Sequence, residues 1–294
     1  MMSAQTSAIP QKSSQRYRTE RQIAVIAANV FLTIYVLLAL YPLFIMFLNS
    51  FKSDSEILSN PSYLPHVWTL NSYQAIFKYH GGLWRNFVVS AIVSVTSTVV
   101  GVFLAAMAAF AFAKYTFKGR DAIFAALLAT MMVPGEITIP PLYIIFSKLH
   151  WLDTYQALII PTVTSVFGLF MLRQYMLSVP TALIEAARID GASHWQLFWN
   201  IMVPTSAPAI GALAILHFMG VWNSYLWPLV ITTKQEMQPI LVVLPNMTDP
   251  IIGFLPVWGT IMAGCVLATL PIIIVFIAFQ DKFMSGVVVG AVKG

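Results

Sequence analysis

Long apolar runs alternate with short polar connections along this chain of 294 residues. A helix needs about 20 apolar residues to cross the hydrocarbon layer. Six runs approach or exceed that length: residues 23–48, 86–113, 122–146, 155–171, 204–231 and 256–279. The first two hold no charged residue, and the third is interrupted by Pro134, Glu136, Pro140 and Pro141. The fourth is the shortest. No other run is long enough for a seventh span. The pattern predicts an all-α, polytopic membrane protein with six transmembrane helices, a permease domain over residues 22–281, and tails at 1–21 and 282–294.

Composition agrees with that class. Hydrophobic residues make up 59% of the chain and charged residues 9%, against about 25% charged in soluble domains. The net charge of +5 forms no dense stripe, so nucleic acid is not the expected partner; the lipid bilayer is. With both termini placed inside, 11 of the 16 Lys and Arg residues fall on inner segments, as the positive-inside rule requires. The first run exceeds the 7–15 residues of a signal-peptide core and is read as a span. The single cysteine, Cys265, allows no internal disulfide, and no Cys/His group has metal-ligand spacing. His66, His80, His150, His194 and His217 are scattered and read as structural or exposed.

Several spans carry marks of close packing or interruption. Gly101, Ala105 and Ala109 recur every four residues, with Ala108 beside them; such spacing lets helix backbones approach in lipid. A packing contact and a pathway-lining role both fit. Pro134-Gly135-Glu136 and Pro140-Pro141 must break the third span, because proline lacks a backbone donor and clashes with the preceding turn. Broken helix at membrane depth is buried in protein or lines a wet cavity. Glu136 is then either a working intramembrane charge or a side chain at the outer interface.

Between the fourth and fifth runs, residues 180–204 read as two short helices around a turn. Residues 182–189 suit a helix. Asp190-Gly191 ends it, since glycine accepts the left-handed cap conformation. Ser193 with Gln196 three residues on forms a capping box for the second helix. Leu183, Ile184 and Ala187 are expected on an exposed apolar side, with Glu185 reaching outward. An apolar helix outside the bilayer needs a surface to rest on: a partner protein or the membrane face.

Here the residues resemble a known family. Glu185-Ala186-Ala187, then Asp190-Gly191-Ala192, then Pro204 after an apolar stretch, resembles the EAA loop of bacterial ABC import permeases. Pro42-Leu43 through Ser50-Phe51-Lys52, Pro140-Pro141-Leu142-Tyr143 and Trp222-Asn223-Ser224-Tyr225-Leu226-Trp227-Pro228 are similar to carbohydrate-type permeases of that family. Gly290-Ala291-Val292-Lys293-Gly294 resembles the tail of maltose-type permeases. Glu136-Ile137-Thr138-Ile139 with the doubled proline departs from the pattern.

The resemblance implies a type I ABC importer permease fold in the bacterial inner membrane, importing a sugar, oligosaccharide or glycerol-phosphate-like solute. It implies three kinds of partner beside lipid: a second permease subunit, two ABC ATPase subunits and an extracytoplasmic solute-binding protein. Leu183, Ile184, Glu185, Ala186, Ala187, Arg188, Asp190, Gly191 and Ala192 would form the coupling helix and its turn. Residues 232–255 would face the binding protein, and the C-terminal tail would reach the ATPase, a free end being the other reading. Trp222, Asn223 and Tyr225, with Glu136, are the candidates for the translocation path; interfacial aromatics are the other reading of the first three. No Gly-Lys pair occurs in the chain, so no P-loop can cradle ATP. The chain is expected to be non-catalytic and to bind no cofactor, with ATP and Mg held by the partner ATPase. A secondary transporter or channel without ATP coupling is the alternative, for which only Glu136 offers an ion-coupling group.

Overall fold

A computed structural model describes residues 12–59, 62–78, 82–249 and 255–291. Residues 1–11 of the expected N-terminal tail, His80, Pro250 and the final residues 292–294 lie outside the described residues.

The described residues begin with a long helix, α1 (Lys12–Asn49), followed by α2 (Asp54–Ser59) and α3 (Asn71–Lys78). The helix starts at Lys12, so the second half of the expected polar tail is helical. Residues 12–21 contain neither glycine nor proline, and extending an existing helix is far easier than nucleating one. Then come α4 (Trp84–Lys114), α5 (Arg120–Thr130) and α6 (Ile139–Lys148). A further span is built from α7 (Tyr155–Ile159), a short 3-10 turn and α8 (Val166–Leu177). The elbow follows: α9 (Thr181–Ile189), α10 (His194–Gln196), a π-helical turn over Leu197–Met202, and α11 (Val203–Thr205). The remaining helices are α12 (Ala207–Trp222), α13 (Leu226–Ile231), α14 (Ile240–Val243) and α15 (Trp258–Ala291). The only strands among the described residues are a two-residue antiparallel pair, Thr248–Asp249 with Leu255–Pro256.

Four helical segments are long and apolar enough to cross a membrane, and six if each of two bent pairs counts as one span. One bent pair is α5 with the segment Gly135–Lys148, at 91°; the other is His194–Thr205 with α12, at 79°. The third expected run is therefore broken where its prolines stand. Pro134 caps a 3-10 turn over Gly135–Thr138, and Pro140 and Pro141 sit in the first turn of α6, where backbone N–H groups have no helical acceptor anyway.

Two boundaries differ from the sequence reading. The fourth span continues to Leu177, past Arg173, whose guanidinium lies 4.1 Å from the centre of the Phe124 ring and donates to the Phe112 carbonyl. The cation is thus held inside the bundle. The fifth run does not stay helical to residue 231. It stops at Trp222, and α13 restarts at Leu226 with Pro228 in its first turn, where a missing N–H breaks no helical bond.

The core is assembled around α4, which packs on α8 and α12, while α12 also packs on α15. Gly101, Ala105 and Ala109 are buried in this contact. A Cβ on Gly101 would lie 2.9 Å from His217 Nε2 and 3.2 Å from the Val163 carbonyl oxygen. The small-residue repeat therefore serves close packing. His217 uses that space to donate from Nε2 to the Thr162 carbonyl at 3.0 Å. By contrast α1 is exposed along its apolar window.

Connections expected on opposite sides of the membrane gather at opposite ends of the bundle. At one end Asn86 donates to the carbonyls of Gln235 and Gln238, both at 2.7 Å, and Arg85 pairs with Glu236 at 2.7 Å. There too Asp153 accepts from Thr233 and Lys234. Residues 232–249 are no simple loop: Ile240, Val242, Leu244 and Met247 are buried among the spans, and the Ile240 N–H is donated to Ser90 Oγ. At the other end lie α9 and its elbow.

Candidate functional sites: the interhelical elbow and the cavity at the broken span

The elbow is shaped by two local rules. At the end of α9, Gly191 takes φ +82°; its N–H is donated to the Arg188 carbonyl, and the N–H of Ala192 reaches back to the Ala187 carbonyl at 2.9 Å. This pair of bonds is a Schellman motif. Nothing lies within 4 Å of a Cβ placed on Gly191, so conformation and not space selects glycine. Two residues on, Ser193 accepts from the Gln196 N–H while its own N–H is donated to Gln196 Oε1 at 2.8 Å. The expected capping box is present. Back-to-back caps fix the corner between the two helices.

The elbow is tied to the end of α4. Lys114 Nζ donates to the Val179 carbonyl at 2.6 Å. The Tyr115 hydroxyl and His194 Nδ1 lie 2.7 Å apart. The guanidinium of Arg188 sits 5.3 Å from the centre of the Tyr115 ring. Arg188 thus packs on an aromatic face, and among the described residues no ion pair joins it to Glu185. Lys114, Tyr115 and His194 had no signal in the sequence marking them as elbow contacts: their partners lie 65 to 79 residues away.

The apolar face of α9 differs from the expected one. Ile184 is 2% exposed and belongs to the core cluster that holds Leu172, Val179 and Phe198; Ala187 packs partly against it. The expectation that Ile184 and Ala187 face outward is corrected: they turn toward the bundle. The outward face carries Leu183, Glu185, Ala186 and Ile189, all exposed, with Ile189 at 87%. Arg188, Asp190 and Gly191 are exposed as well, and Ala192 is half-buried. Ile189, four residues after Glu185, is the element the sequence reading missed, although helical spacing places it beside that carboxylate. Among the described residues Glu185 has no hydrogen-bond or ion-pair partner. The carboxylate is flanked by bare Leu183 and Ile189, so this side of the elbow presents one charge among apolar side chains.

The second feature is a cavity of about 430 Å³ between the broken third span and the restart at α13. Glu136, Thr138 and Leu142 form one wall; Thr162, Ser224, Tyr225 and Trp227 form the others. The structure brings Glu136 and Tyr225 together here. It does not bring Trp222 or Asn223: Trp222 is buried, stacked on Phe218, with its indole N–H donated to the Ala268 carbonyl at 3.1 Å, and Asn223 is exposed away from the lining. The second aromatic wall is Trp227, which sequence reasoning left out of the site. Its indole N–H is donated to the Ala157 carbonyl at 2.9 Å and its ring meets Phe146 edge-on. Pro228 was the available signal, since a proline is well accommodated in the first turn of a helix, and α13 restarts two residues before it. The α5 helix has 11 residues, a rise of about 16 Å. That is about half the hydrocarbon thickness, too short to span it without the segment that follows the break.

Comparison with known proteins places these features in context. The family described as "binding-protein-dependent transport system inner membrane component" matches residues 97–288. The arabinooligosaccharides transport system permease protein AraQ of Bacillus subtilis (strain 168) is 35% identical over 282 residues, covering 95% of this chain and 99% of the relative. The sn-glycerol-3-phosphate transport system permease protein UgpE of Yersinia pestis is 31% identical over 273 residues, covering 90% and 95%. In fold, the chain is similar to a subunit in the crystal structure of a bacterial ABC transporter involved in import of the acidic polysaccharide alginate, with a TM-score of 0.79, 24% identity, and coverage of 95% of this chain and all of that one.

Proposed function

The chain belongs to the binding-protein-dependent transport system inner membrane component family, and from that premise we propose that it forms half of a solute path driven by a separate ATPase docked on its elbow. The observation that carries the proposal is the outward face of α9: Glu185, without a partner among the described residues, flanked by exposed Leu183 and Ile189, on a corner held by two caps and three contacts to Lys114 and Tyr115 at the end of α4. An ATPase cleft with an apolar floor and a basic rim would accept that face. ATP and Mg would sit on the ATPase. Closure of two ATPase subunits would move the elbow, and through the bent connection to α12 the movement would reach the bundle.

The names of the relatives support a sugar, oligosaccharide or glycerol-phosphate-like solute. A second permease subunit would complete the path, and an extracytoplasmic binding protein would deliver solute to the end carrying residues 232–249. Both termini would be cytoplasmic, which the distribution of Lys and Arg supports.

Purification from the native membrane in mild detergent tests the assembly. The chain should carry with it an ATPase and a second permease, and reconstituted uptake should need all of them with ATP. Solute movement by this chain alone, without ATP, would overturn the reading in favour of a secondary transporter or channel. Single cysteines at positions 193 and 248, in a Cys265→Ser background, test orientation: an impermeant thiol reagent should label Thr248→Cys and spare Ser193→Cys in intact cells, and the reverse would invert the topology.

A further inference from the structure

We propose that the cavity at the broken third span is an anion-rejecting site, so that the solute groups passing it are uncharged or cationic: sugar rings and hydroxyls, not phosphates or uronates. The inference rests on reading this chain as a permease and narrows its solute class. Four observations carry it. Among the described residues Glu136 is the only charged one lining the cavity, and no Lys, Arg or His stands with it in that lining. Its side chain is exposed at the cavity and has no ion-pair or hydrogen-bond partner among the described residues, so its field is not cancelled locally. Around it stand the Thr162 hydroxyl, already hydrogen-bonded to Ser97 Oγ and the Ile159 carbonyl, and the Ser224 hydroxyl, able to exchange hydrogen bonds with a polyol. Tyr225 and Trp227 add aromatic surface to the lining, suited to the apolar side of a sugar ring, and Trp227 is held by its bond to Ala157.

The physical ground is the sign of the charge. A cleft lined by one sign of charge with low-dielectric walls focuses its field and enriches or depletes ions by about tenfold or more. A phosphate or carboxylate entering here would shed water beside a carboxylate and find no cation in return, and a desolvated like-charge approach is costly. A neutral polyol meets no such barrier. Two relatives of this chain differ on this point by name, one handling arabinooligosaccharides and one sn-glycerol-3-phosphate; the cavity chemistry sides with the uncharged class.

The test uses the assembled transporter in proteoliposomes, with Ser224→Cys in a Cys265→Ser background. Three methanethiosulfonates serve as probes: cationic trimethylammonium-ethyl, neutral methyl and anionic sulfonato-ethyl. Each rate is divided by that reagent's rate with free 2-mercaptoethanol. The cationic and neutral reagents should react, and the anionic one should be slower than the cationic by roughly tenfold. Glu136→Gln should bring the ratio close to one, and Glu136→Arg should reverse it. Equal normalised rates in the unaltered cavity, a preference that survives Glu136→Gln, or no reaction with any reagent would each overturn the proposal. Co-purification with the ATPase should be the same in all variants. Its loss from the assembly that retains Glu136 would count against the permease reading, whereas a wrong charge preference with the ATPase still bound counts against the cavity alone.

Discussion

Tyr115 and His194 are 79 residues apart in sequence and share a hydrogen bond of 2.7 Å, with their rings 5.2 Å apart. The bond clamps the second helix of the elbow to the end of α4, while the other face of the Tyr115 neighbourhood receives Arg188. Tyr115→Phe removes the bond but keeps the ring. It should loosen the elbow by about 0.5–1.5 kcal/mol, read as faster amide exchange over residues 190–196 with the spans unaffected. Tyr115→Ala, which also removes the surface under Arg188, should extend the loosening into α9.

The two faces of α9 should separate docking from folding. Leu183→Asp and Ile189→Asp should leave membrane insertion and thermal stability unchanged and abolish most ATPase co-purification. Glu185→Ala should weaken docking by about 2–5 kcal/mol if its partner is a desolvated cation, and by no more than about 1 kcal/mol if the pair stays exposed. Ile184→Ala should instead destabilise the bundle by about 2–5 kcal/mol. An Ile184→Ala chain of full stability with lost docking would return that residue to the outward face.

At the turn, Gly191→Ala places a Cβ in the left-handed region at φ +82°, at a cost of about 1–2 kcal/mol. Gly191→Asn should be milder, because asparagine tolerates that conformation. Since there is open space around the position, uptake should follow backbone preference and not side-chain volume. An asparagine variant worse than alanine would contradict the conformational account.

Asp153 yields a pH dependence. Burial by itself would raise its carboxyl, but the backbone N–H of Lys234, with the hydroxyl and N–H of Thr233, more than offsets this and holds it below the usual 3.8. With the folded value depressed, its contribution is complete above the unfolded value and is lost as pH falls through the folded one. Protease sensitivity of residues 232–239 should therefore stay flat from about pH 5 to 8 and rise only in stronger acid. Asp153→Asn should raise it already at neutral pH.

Gly101→Ala should lower thermal stability by about 1–3 kcal/mol, since a backbone oxygen and the His217 ring both stand in the way. Shortening residue 217 in the same chain should relieve part of that loss, so the two changes should be non-additive. Strict additivity would show that the ring was not the obstacle.

The parts of this molecule that were legible in the sequence are those governed by nearby residues. Gly191 and Ser193 announce their caps within four residues of chain, and the prolines at 134, 140 and 141 announce the broken span. Ile184 was misplaced because α9 is apolar on both sides: Leu183, Ala186 and Ile189 mark one face as convincingly as Ile184 and Ala187 mark the other. Only the packing of Ile184 with Val179 and Phe198 decides between them. The same holds for Trp222 and Trp227, five residues apart in one aromatic run. The end of α12 at Asn223 leaves the first in the core and the second on the cavity. The clamp by Lys114 and Tyr115 depends on contacts across 65 and 79 residues, which no local pattern records.

The approach of His217 to Gly101 also constrains the order in which this chain could change over generations. A larger residue at 101 is penalised while the imidazole stands against it, whereas a shorter residue at 217 only opens a gap and frees the Thr162 carbonyl. A lineage is therefore expected to alter position 217 first. Once position 101 has enlarged into the vacated space, restoring histidine would itself be penalised, and the exchange would act as a one-way step.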